Sequence, residues 1–318
     1  MISLSELGAK IKSQKNVAII AHIRPDGDTL GSALALKLAI LNLGIGAEVI
    51  CDDIVPSRFL FLNEMQSVKS ELDGDYSMII AIDCADITRL GKFADAFNSH
   101  KNTVCIDHHI SNTRYAKVNY VVDNASNCEN VYELICEMGL DVTEDIANLL
   151  MLGTVTDTGC FRHKNVTAKT LKIAGELKEK GADINKIYFH NFSAQSKERA
   201  KLFGKTMSNI RYFLDGRVAL ATIRLADFEW ANAKLNETEG FIDFLTGIIG
   251  VEIAVTVMEY MPNKYKISFR SHSADVNAVA TSFGGGGHVL ASGCQIHGDY
   301  EEVMDKIRFA CSRELPEV

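Results

Sequence analysis

The segment VAIIAHIRPDGDTLG, residues 17–31, determines how the first half of this chain is interpreted. Five apolar residues typical of a buried strand lead into a short loop that carries His22, Asp26 and Asp28. An imidazole and two carboxylates this close in sequence form a ligand set suited to manganese, magnesium or iron. The carboxylates repel each other unless a cation or a proton lies between them. The loop therefore predicts a cation site.

Strand and helix patterns alternate through the first half of the chain. The predicted elements are strands at 17–22, Ala47–Cys51, Tyr76–Asp83 and Thr103–Asp107, and helices at 29–43 and 57–63. Unbroken apolar strands between helices indicate a parallel sheet covered on both faces, with ligands collecting beyond its carboxyl ends. Three of these strands end in chemically active residues, namely His22, Asp83 and the run Asp107-His108-His109. We expect these side chains to meet at one edge of the sheet.

The second half changes character. Residues 127–190 are predicted to be mostly helical, and an apolar segment at 146–155 leads to Asp157. The predicted elements beyond it are a charged helical stretch at Ser196–Arg211, strands at 217–224, 251–261 and 264–271, and helices at 237–249, 275–283 and 299–314. The predicted fold is α/β, with a doubly wound, mainly parallel N-terminal sheet and a smaller C-terminal α+β domain. We expect the active site in the cleft between the two domains.

Composition narrows the function classes. The 318 residues suffice for two domains, and no apolar run is long enough to span a bilayer, so no membrane partner is expected. The eight cysteines form no CxxC pair, and we interpret them as reduced thiols of a cytoplasmic protein. Zinc ligation by Cys84 or Cys105 is a less favoured alternative. The net charge of −8 disfavours a long nucleic acid as partner. It does not disfavour a small phosphorylated substrate whose negative charge is offset by metal ions.

Taken singly, each of these motifs is more often a turn, a helix cap or part of a core. Together and in order, six motifs resemble those of DHH phosphoesterases with an associated DHHA1 domain. They are His22-Ile-Arg-Pro-Asp26-Gly-Asp28 with Gly31-Ser32, Ile-Asp83-Cys, Asp107-His108-His109, Asp157-Thr-Gly, Phe269-Arg270-Ser271, and Gly284-Gly-Gly-Gly-His288 with Ala291-Ser292-Gly293. The resemblance spans essentially the whole chain. It implies a DHH domain at 1–190, a helical linker at 191–212 and a substrate-binding DHHA1 domain at 213–318.

The resemblance also implies two divalent cations, manganese first, with magnesium or cobalt as alternatives. The implied ligands are His22, Asp26 and Asp83 for one cation, and Asp28, Asp83, His108 and Asp157 for the other. Asp107 would orient the site, and His109 would face the substrate phosphate or the leaving oxygen. The residues implied to grip a phosphate or nucleotide are Arg270, Ser271, Gly284, Gly285, Gly286, Gly287 and His288.

The glycine run has a second interpretation, because four glycines in isolation are most often a flexible turn. Glycines also let backbone N–H groups approach phosphate oxygens, which Arg270 can clamp. Two details depart from the family pattern: Val289 replaces a common basic residue, and the run before Glu129 reads Ala-Ser-Asn-Cys instead of being rich in serine and threonine. We expect both departures to affect substrate preference and to leave the metal site untouched.

Three hypotheses follow. The first is a metal-dependent phosphoesterase, in which a hydroxide generated between two cations attacks phosphorus and His109 assists the leaving oxygen. By resemblance to the short DHH members, its substrates would be short RNA (nanoRNA) or DNA oligonucleotides or adenosine 3′,5′-bisphosphate (pAp), with linear dinucleotides such as pApA as a close alternative. A manganese-dependent pyrophosphatase ranks lower, because its basic Ser-Arg-Lys-Lys element is absent. A processive single-strand DNA exonuclease ranks lower still, because it would need a larger and more basic body.

The second hypothesis is a nucleotide-binding sensor without turnover. Such a protein would be expected to lack at least one metal ligand, and here the set is complete. The third hypothesis treats the C-terminal half as an interaction or dimerisation module, with Trp230 and residues 241–249 as its contact surface and a homodimer as one possible result. Those residues could equally belong to a core.

Overall fold

The structure is a computed structural model that describes residues 2–315 and divides after Ala194 into two units. Each unit has apolar clusters of its own. Within the described range, no helix combines the length and the apolar character needed to cross a membrane.

The first unit is built on a five-stranded sheet. Its strands are β1 (Asn16–Ile20), β2 (Gly46–Ile50), β3 (Met78–Ile82), β4 (Thr103–Asp107) and β5 (Val118–Val121). They lie in the order β2-β1-β3-β4-β5, and every neighbouring pair is parallel, which confirms the predicted sheet. All residues of β3 and β4 are buried, as a sheet covered on both faces requires. Strand β5 is not among the predicted strands, because four residues are too few to show a period.

Helices flank this sheet. They are α1 (Leu4–Lys12), α2 (Gly27–Leu41), α3 (Ala94–Ser99), α4 (Asn127–Glu137), α5 (Glu144–Asp157), α6 (Ala168–Glu179) and α7 (Ile184–Tyr188). A π-helical turn follows at Phe189–Ser193, and 3₁₀ segments lie at Ser57–Phe59, Asn63–Ser67 and Ile87–Phe93. In place of the one short helix predicted near 57–63, this segment forms two 3₁₀ turns. Its buried residues Phe59, Leu62 and Met65 recur every third position, which is the period of a 3₁₀ helix.

Helices α2 and α5 pack with almost no space between their backbones. A Cβ atom added at Gly31 would lie 2.4 Å from the carbonyl oxygen of Leu149. One added at Gly153 would lie 2.3 Å from Cys128 Sγ and 2.6 Å from Asp28 Oδ1. These separations are well below van der Waals contact, so only glycine fits at either position. The close contact sets the position of the amino-terminal end of α2, which carries Asp28.

The second unit contains a six-stranded mixed sheet. Its strands are β6 (Arg211–Phe213), β7 (Val218–Ile223), β8 (Ile253–Met261), β9 (Lys264–Ser271), β10 (Gly286–His288) and β11 (Ala291–His297), in the order β10-β11-β9-β8-β7-β6. Only β7 and β8 run parallel. Strands β10 and β11 are not among the predicted strands, because a glycine-rich segment shows no apolar alternation. Glycine is required at 285, where an added Cβ would lie 2.3 Å from the carbonyl oxygen of Gly293.

Five helices complete this unit: α8 (Lys197–Ser208), α9 (Leu225–Ala231), α10 (Phe241–Thr246), α11 (Val276–Thr281) and α12 (Tyr300–Arg313). Within α8, Leu202 is fully buried against Phe228 and Phe241. Trp230 is 49% exposed, with the ammonium nitrogens of Lys201 and Lys205 at 4.1 and 4.8 Å from the centroid of its ring. Trp230 and residues 241–249, suggested above as a contact surface, therefore include both buried and exposed side chains.

Candidate metal centre

The carboxyl ends of β1, β3 and β4 bring the predicted ligands together. His22 follows β1, Asp83 follows β3, and His108 follows β4. Among residues 2–315, the groups of three or more histidine and carboxylate side chains whose donor atoms lie within 4.8 Å of one another are His22–Asp26–Asp83, Asp28–His108–Asp157 and Asp83–His108–His109. The six residues predicted to hold metal therefore occupy one location, and Asp157 reaches it from the last residue of α5.

Asp83 links the groups. Its Oδ2 lies 3.5 Å from Nε2 of His22, and its Oδ1 lies 3.4 Å from Nε2 of His108. The residue is 2% exposed, and Oδ1 is buried without a hydrogen-bond partner. Its φ of +54° is in the left-handed region, which non-glycine residues adopt mainly where surrounding structure enforces it. A buried carboxylate oxygen that lacks a donor is suited to a cation.

Both histidines at the centre present the ring nitrogen that a metal requires. His22 Nδ1 lies 2.8 Å from the carbonyl oxygen of Ile23, and His108 Nδ1 lies 3.0 Å from that of Asn124. An Nδ1–H on either ring would donate to its carbonyl and leave Nε2 available to a metal. Nδ1 of His22 also lies 3.0 Å from Nη2 of Arg89, which can only donate. The mixed imidazole and carboxylate set fits two divalent cations of the manganese or magnesium class.

Asp26 has two functions at once. Its Oδ1 caps α2 by accepting from the backbone N–H groups of Asp28 and Thr29, at 3.1 and 3.0 Å. Its Oδ2 lies 3.6 Å from Nε2 of His22. The helix-cap interpretation and the metal-ligand interpretation of this residue are therefore compatible, because each uses a different oxygen.

Asp28 is held by the amino-terminal end of α4. Its Oδ2 accepts from the backbone N–H of Asn127 at 2.6 Å, and its Oδ1 accepts from that of Cys128 at 2.9 Å. Helix amino termini favour negative charge, because their first N–H groups lack intrahelical partners. The segment before Glu129 therefore contacts the metal site, while the expectation that its altered residue types leave that site untouched stays a prediction. The contact is made through the backbone, which residue types alone do not reveal.

The electrostatics of the cluster are those of crowded carboxylates. Burial first, and then the charge of Asp83, raise the pKa of Asp28, which is fully buried. Burial and the charges of Asp28 and Asp83 likewise raise the pKa of Asp157. Although burial by itself lowers the pKa of His22, its contacts with Asp26 and Asp83 raise it overall to about 10. The cluster thus favours positive charge, which bound cations would supply.

Asp107 lies beside the cluster. It is fully buried, and its Oδ1 accepts from Nδ1 of His109 at 2.8 Å while its Oδ2 accepts from Nδ2 of Asn112 at 2.6 Å. The hydrogen bond that His109 donates to Asp107 raises the pKa of His109, whose side chain is 33% exposed. Asn112 and the backbone of 127–128 are site residues that the sequence analysis does not identify. For Asn112, the only available signal is its place three residues after His109.

The residues predicted to bind substrate lie in the second unit. Arg270 on β9 pairs with Ala291 on β11, which in turn pairs with His288 on β10. Directly opposed residues share a face, so Arg270 and His288 are on the same side of the sheet, about 9–10 Å apart at the usual strand spacing. Arg270 lines a cavity of about 350 Å³. Ser271 is instead buried, and its Oγ accepts from the backbone N–H groups of Ser273 and Ala274.

Addition of Mn²⁺ to metal-depleted protein is expected to raise its melting temperature. Binding to the folded state alone stabilises by about 2.7 kcal/mol at a hundredfold excess over Kd, or on the order of 5 °C for a unit of this size. Asp157→Asn should lose most of this increase, which differential scanning calorimetry would measure. Asp305→Asn is the matched control, since its carboxylate is 77% exposed in the second unit. An equal increase in wild type and Asp157→Asn would contradict the assignment.

Comparison with known families agrees with this geometry. Residues 16–154 match the model of the DHH family, N-terminal domain, and residues 216–314 match that of the DHHA1 domain. The chain is 29% identical over 304 residues to a bifunctional oligoribonuclease and PAP phosphatase NrnA from Thermus thermophilus, covering 94% of this chain and 90% of that protein. A protein of the same name from Bacillus subtilis is 27% identical over 297 residues, covering 92% and 93%.

Solved structures share the fold. A crystal structure of an exopolyphosphatase-related protein from Bacteroides fragilis has a TM-score of 0.79 at 25% identity, covering 98% of this chain and 95% of that one. RecJ from Thermus thermophilus, crystallised in complex with Mn²⁺, has a TM-score of 0.50 at 12% identity and covers 99% and 55%. At 12% identity, the similarity to RecJ shows a shared fold and nothing further.

Proposed function

Because the chain belongs to the DHH family and carries a DHHA1 domain, we propose that it hydrolyses short RNA oligonucleotides to mononucleotides and pAp to AMP and phosphate. The relatives named as oligoribonuclease and PAP phosphatase match over nearly their whole length, which supports both substrates. The observation that carries the proposal is Asp83, whose two oxygens face two separate ligand groups. We further propose that the enzyme is cytoplasmic. We also propose a DHH domain at 1–190, a helical linker at 191–212 and a DHHA1 domain at 213–318.

The proposed ligands are His22, Asp26 and Asp83 for one cation and Asp28, Asp83, His108 and Asp157 for the other. Two divalent cations, Mn²⁺ first, would supply an attacking hydroxide at neutral pH and offset the charge that develops on the phosphoryl group. The chain's own contribution is geometric. The N–H groups that begin α4 fix Asp28, and the carbonyls of Ile23 and Asn124 fix the rings of His22 and His108.

His109 is the proposed acid for the leaving oxygen. Its Nδ1–H donates to Asp107, so the proton to be transferred would be the one on Nε2. The hydrogen bond to Asp107 raises the pKa of His109 and therefore increases the protonated fraction. Asn112 holds the second oxygen of Asp107, which keeps that carboxylate in place. Asp107 and Asn112 are thus proposed as positioning residues.

The proposal is tested by turnover. Purified protein with Mn²⁺ would be incubated with labelled diribonucleotide and, separately, with pAp, and the products separated by chromatography. Release of mononucleotides and of AMP is the expected result. Inertness toward both substrates would refute the proposal. Metal analysis of the same preparation should give two tightly held cations per chain at saturating Mn²⁺, and fewer would favour a nucleotide sensor.

Arg270→Ala is expected to weaken substrate binding more than turnover. The half-buried guanidinium can form two parallel hydrogen bonds to a phosphate, which a methyl group cannot replace. We expect KM to rise on the order of tenfold, with kcat changing much less. Arg313→Ala removes an exposed arginine of the same unit and serves as the control. A fall in kcat with unchanged KM would contradict the binding role.

A further inference from the structure

An aromatic surface of the first unit takes no part in the metal centre. We call Tyr188, Phe189 and Phe192 the aromatic platform. They lie at the end of α7 and on the π-helical turn, and they are 43%, 55% and 40% exposed. The rings of Tyr188 and Phe192 stack at 5.6 Å between centroids. Three large apolar side chains exposed on one turn are typical of a binding surface.

A further ring of this turn, that of His190, packs against the rest of the unit and holds the turn in place. His190 stacks on Phe61, with ring centroids 4.3 Å apart and planes within 4° of parallel. The turn also packs against the 3₁₀ segment Ser57–Phe59. Isolated π-helical turns are frequent at functional sites, because they re-aim side chains within a helix. The platform is therefore held in an exposed position by a packed contact beneath it.

Cationic side chains accompany the platform. Arg24, Arg58 and Lys186 are exposed, and none of them forms an ion pair with another residue of the described range 2–315. Arg58 lies over the ring of Phe59 at 4.9 Å, and the ammonium of Lys186 lies 5.7 Å from the ring centroid of Phe61. Within residues 2–315 these three cations stand outside ion pairs, although the net charge of the chain is −8.

A surface cavity next to the loop that carries Asp26 is lined by two of these cations, Arg24 and Arg58. It measures about 510 Å³ and is lined by Arg24, Pro25, Asp53, Ile54, Pro56 and Arg58. Pro25 directly precedes the proposed ligand Asp26, and Arg58 is on the 3₁₀ segment that contacts the π-helical turn. Asp53 is the one acidic residue of the lining, and it accepts from the backbone N–H of Arg24. Arg24 lies two residues before Asp26, and Arg58 belongs to the segment that contacts the turn of the platform, so the two cations that line this cavity define a path within a single unit.

We propose that this path binds the nucleotides of a single-stranded oligonucleotide that lie beyond the scissile phosphate. Phosphates would contact Arg24, Arg58 and Lys186, and bases would stack on the aromatic platform. Exposed rings beside a basic groove are the combination by which proteins hold single strands without reading their sequence. The inference rests on the proposed function and refines it, because pAp, with one nucleoside, is too short to use the platform. The surface would therefore favour oligonucleotides of three or more residues.

The test compares a pentaribonucleotide with pAp. In the double variant Phe189→Ala/Phe192→Ala, the ratio of kcat/KM for the pentanucleotide to that for pAp should fall on the order of tenfold. Phe309→Ala, which removes a ring that is 69% exposed on α12, should leave the ratio unchanged. Arg58→Gln should lower pentanucleotide affinity and reduce its dependence on salt. An unchanged ratio in the double variant, or an equal loss on both substrates, would overturn the proposal.

A second measurement uses the unaltered chain. A pentanucleotide with 4-thiouridine at its distal positions would be crosslinked by light and the attachment mapped by mass spectrometry. Attachment within 186–192 is expected, and attachment confined to other segments would overturn the inference. Wild-type protein inert to both substrates would instead refute the proposed function, whereas the crosslink would still report on the platform. A change of oligomeric state in the double variant, seen by light scattering, would identify the surface as a contact between copies and also overturn the inference.

Discussion

Asp83→Ala is expected to lower hydrolysis of both pAp and short RNA by roughly a thousandfold or more. Loss of a residue that merely orients a ligand typically costs 10- to 100-fold, and Asp83 faces both ligand groups itself. Steady-state turnover at saturating Mn²⁺ measures the effect. Metal analysis should also show fewer than two cations per chain, because one oxygen of Asp83 faces the ligand group of His22 and the other faces that of His108.

Asp95→Ala is the matched control for this variant. Its carboxylate is exposed on α3, and the substitution should leave turnover and metal content unchanged. Circular dichroism should show that Asp83→Ala remains folded, because the change removes a buried negative charge next to other carboxylates. Turnover of Asp83→Ala within tenfold of wild type would rule out the shared-ligand assignment.

Gly153→Ala is expected to damage the centre without altering a ligand. The added methyl would lie 2.6 Å from Oδ1 of Asp28 and 2.3 Å from Cys128 Sγ, so α5 must move away from α2. Overpacking of this kind costs about 1–3 kcal/mol of stability. Displacement of a catalytic group by about 1 Å can cost about a hundredfold in rate. Chemical denaturation and Mn²⁺-supported turnover would measure the two effects.

Gly175→Ala provides the comparison, because it makes the same change within α6 where nothing lies within 4 Å of the new methyl. An exposed helical glycine destabilises by about 0.5–1 kcal/mol relative to alanine, so this variant should be slightly more stable than wild type. Its turnover should be unaffected. Equal stability and equal turnover in the two alanine variants would show that the contact between α2 and α5 does not position Asp28.

Much of the first unit could be predicted from sequence because its strands are continuous apolar runs. Those runs end in His22, Asp83 and the segment from Asp107, and the geometry of a parallel sheet places such ends at one edge. The hydrogen bonds that hold the proposed ligands in place could not be predicted in the same way. The donors to Asp28 are backbone N–H groups, and they are provided by tertiary packing of α4, about 100 residues away in sequence.

The second unit was less accessible to sequence reasoning for a different reason. Strand β10 consists of Gly286, Gly287 and His288, which lack the β-branched and alternating residues by which strands are recognised. Pairing with β11 determines its structure, and close backbone approach requires glycine at 287, where an added Cβ would lie 2.5 Å from the carbonyl oxygen of Ala291. For Ser271, the hydroxyl bonds to nearby backbone, so its predicted contact with substrate stays a prediction that needs its own test.

The single tryptophan of this chain, Trp230, belongs to the second unit, beside two lysines. Its emission spectrum is therefore a native optical reporter for that unit alone. In a denaturation experiment, fluorescence would follow the loss of the β6–β11 sheet, whereas far-ultraviolet dichroism would average over both units. Noncoincident curves would separate the two unfolding transitions without the introduction of any label.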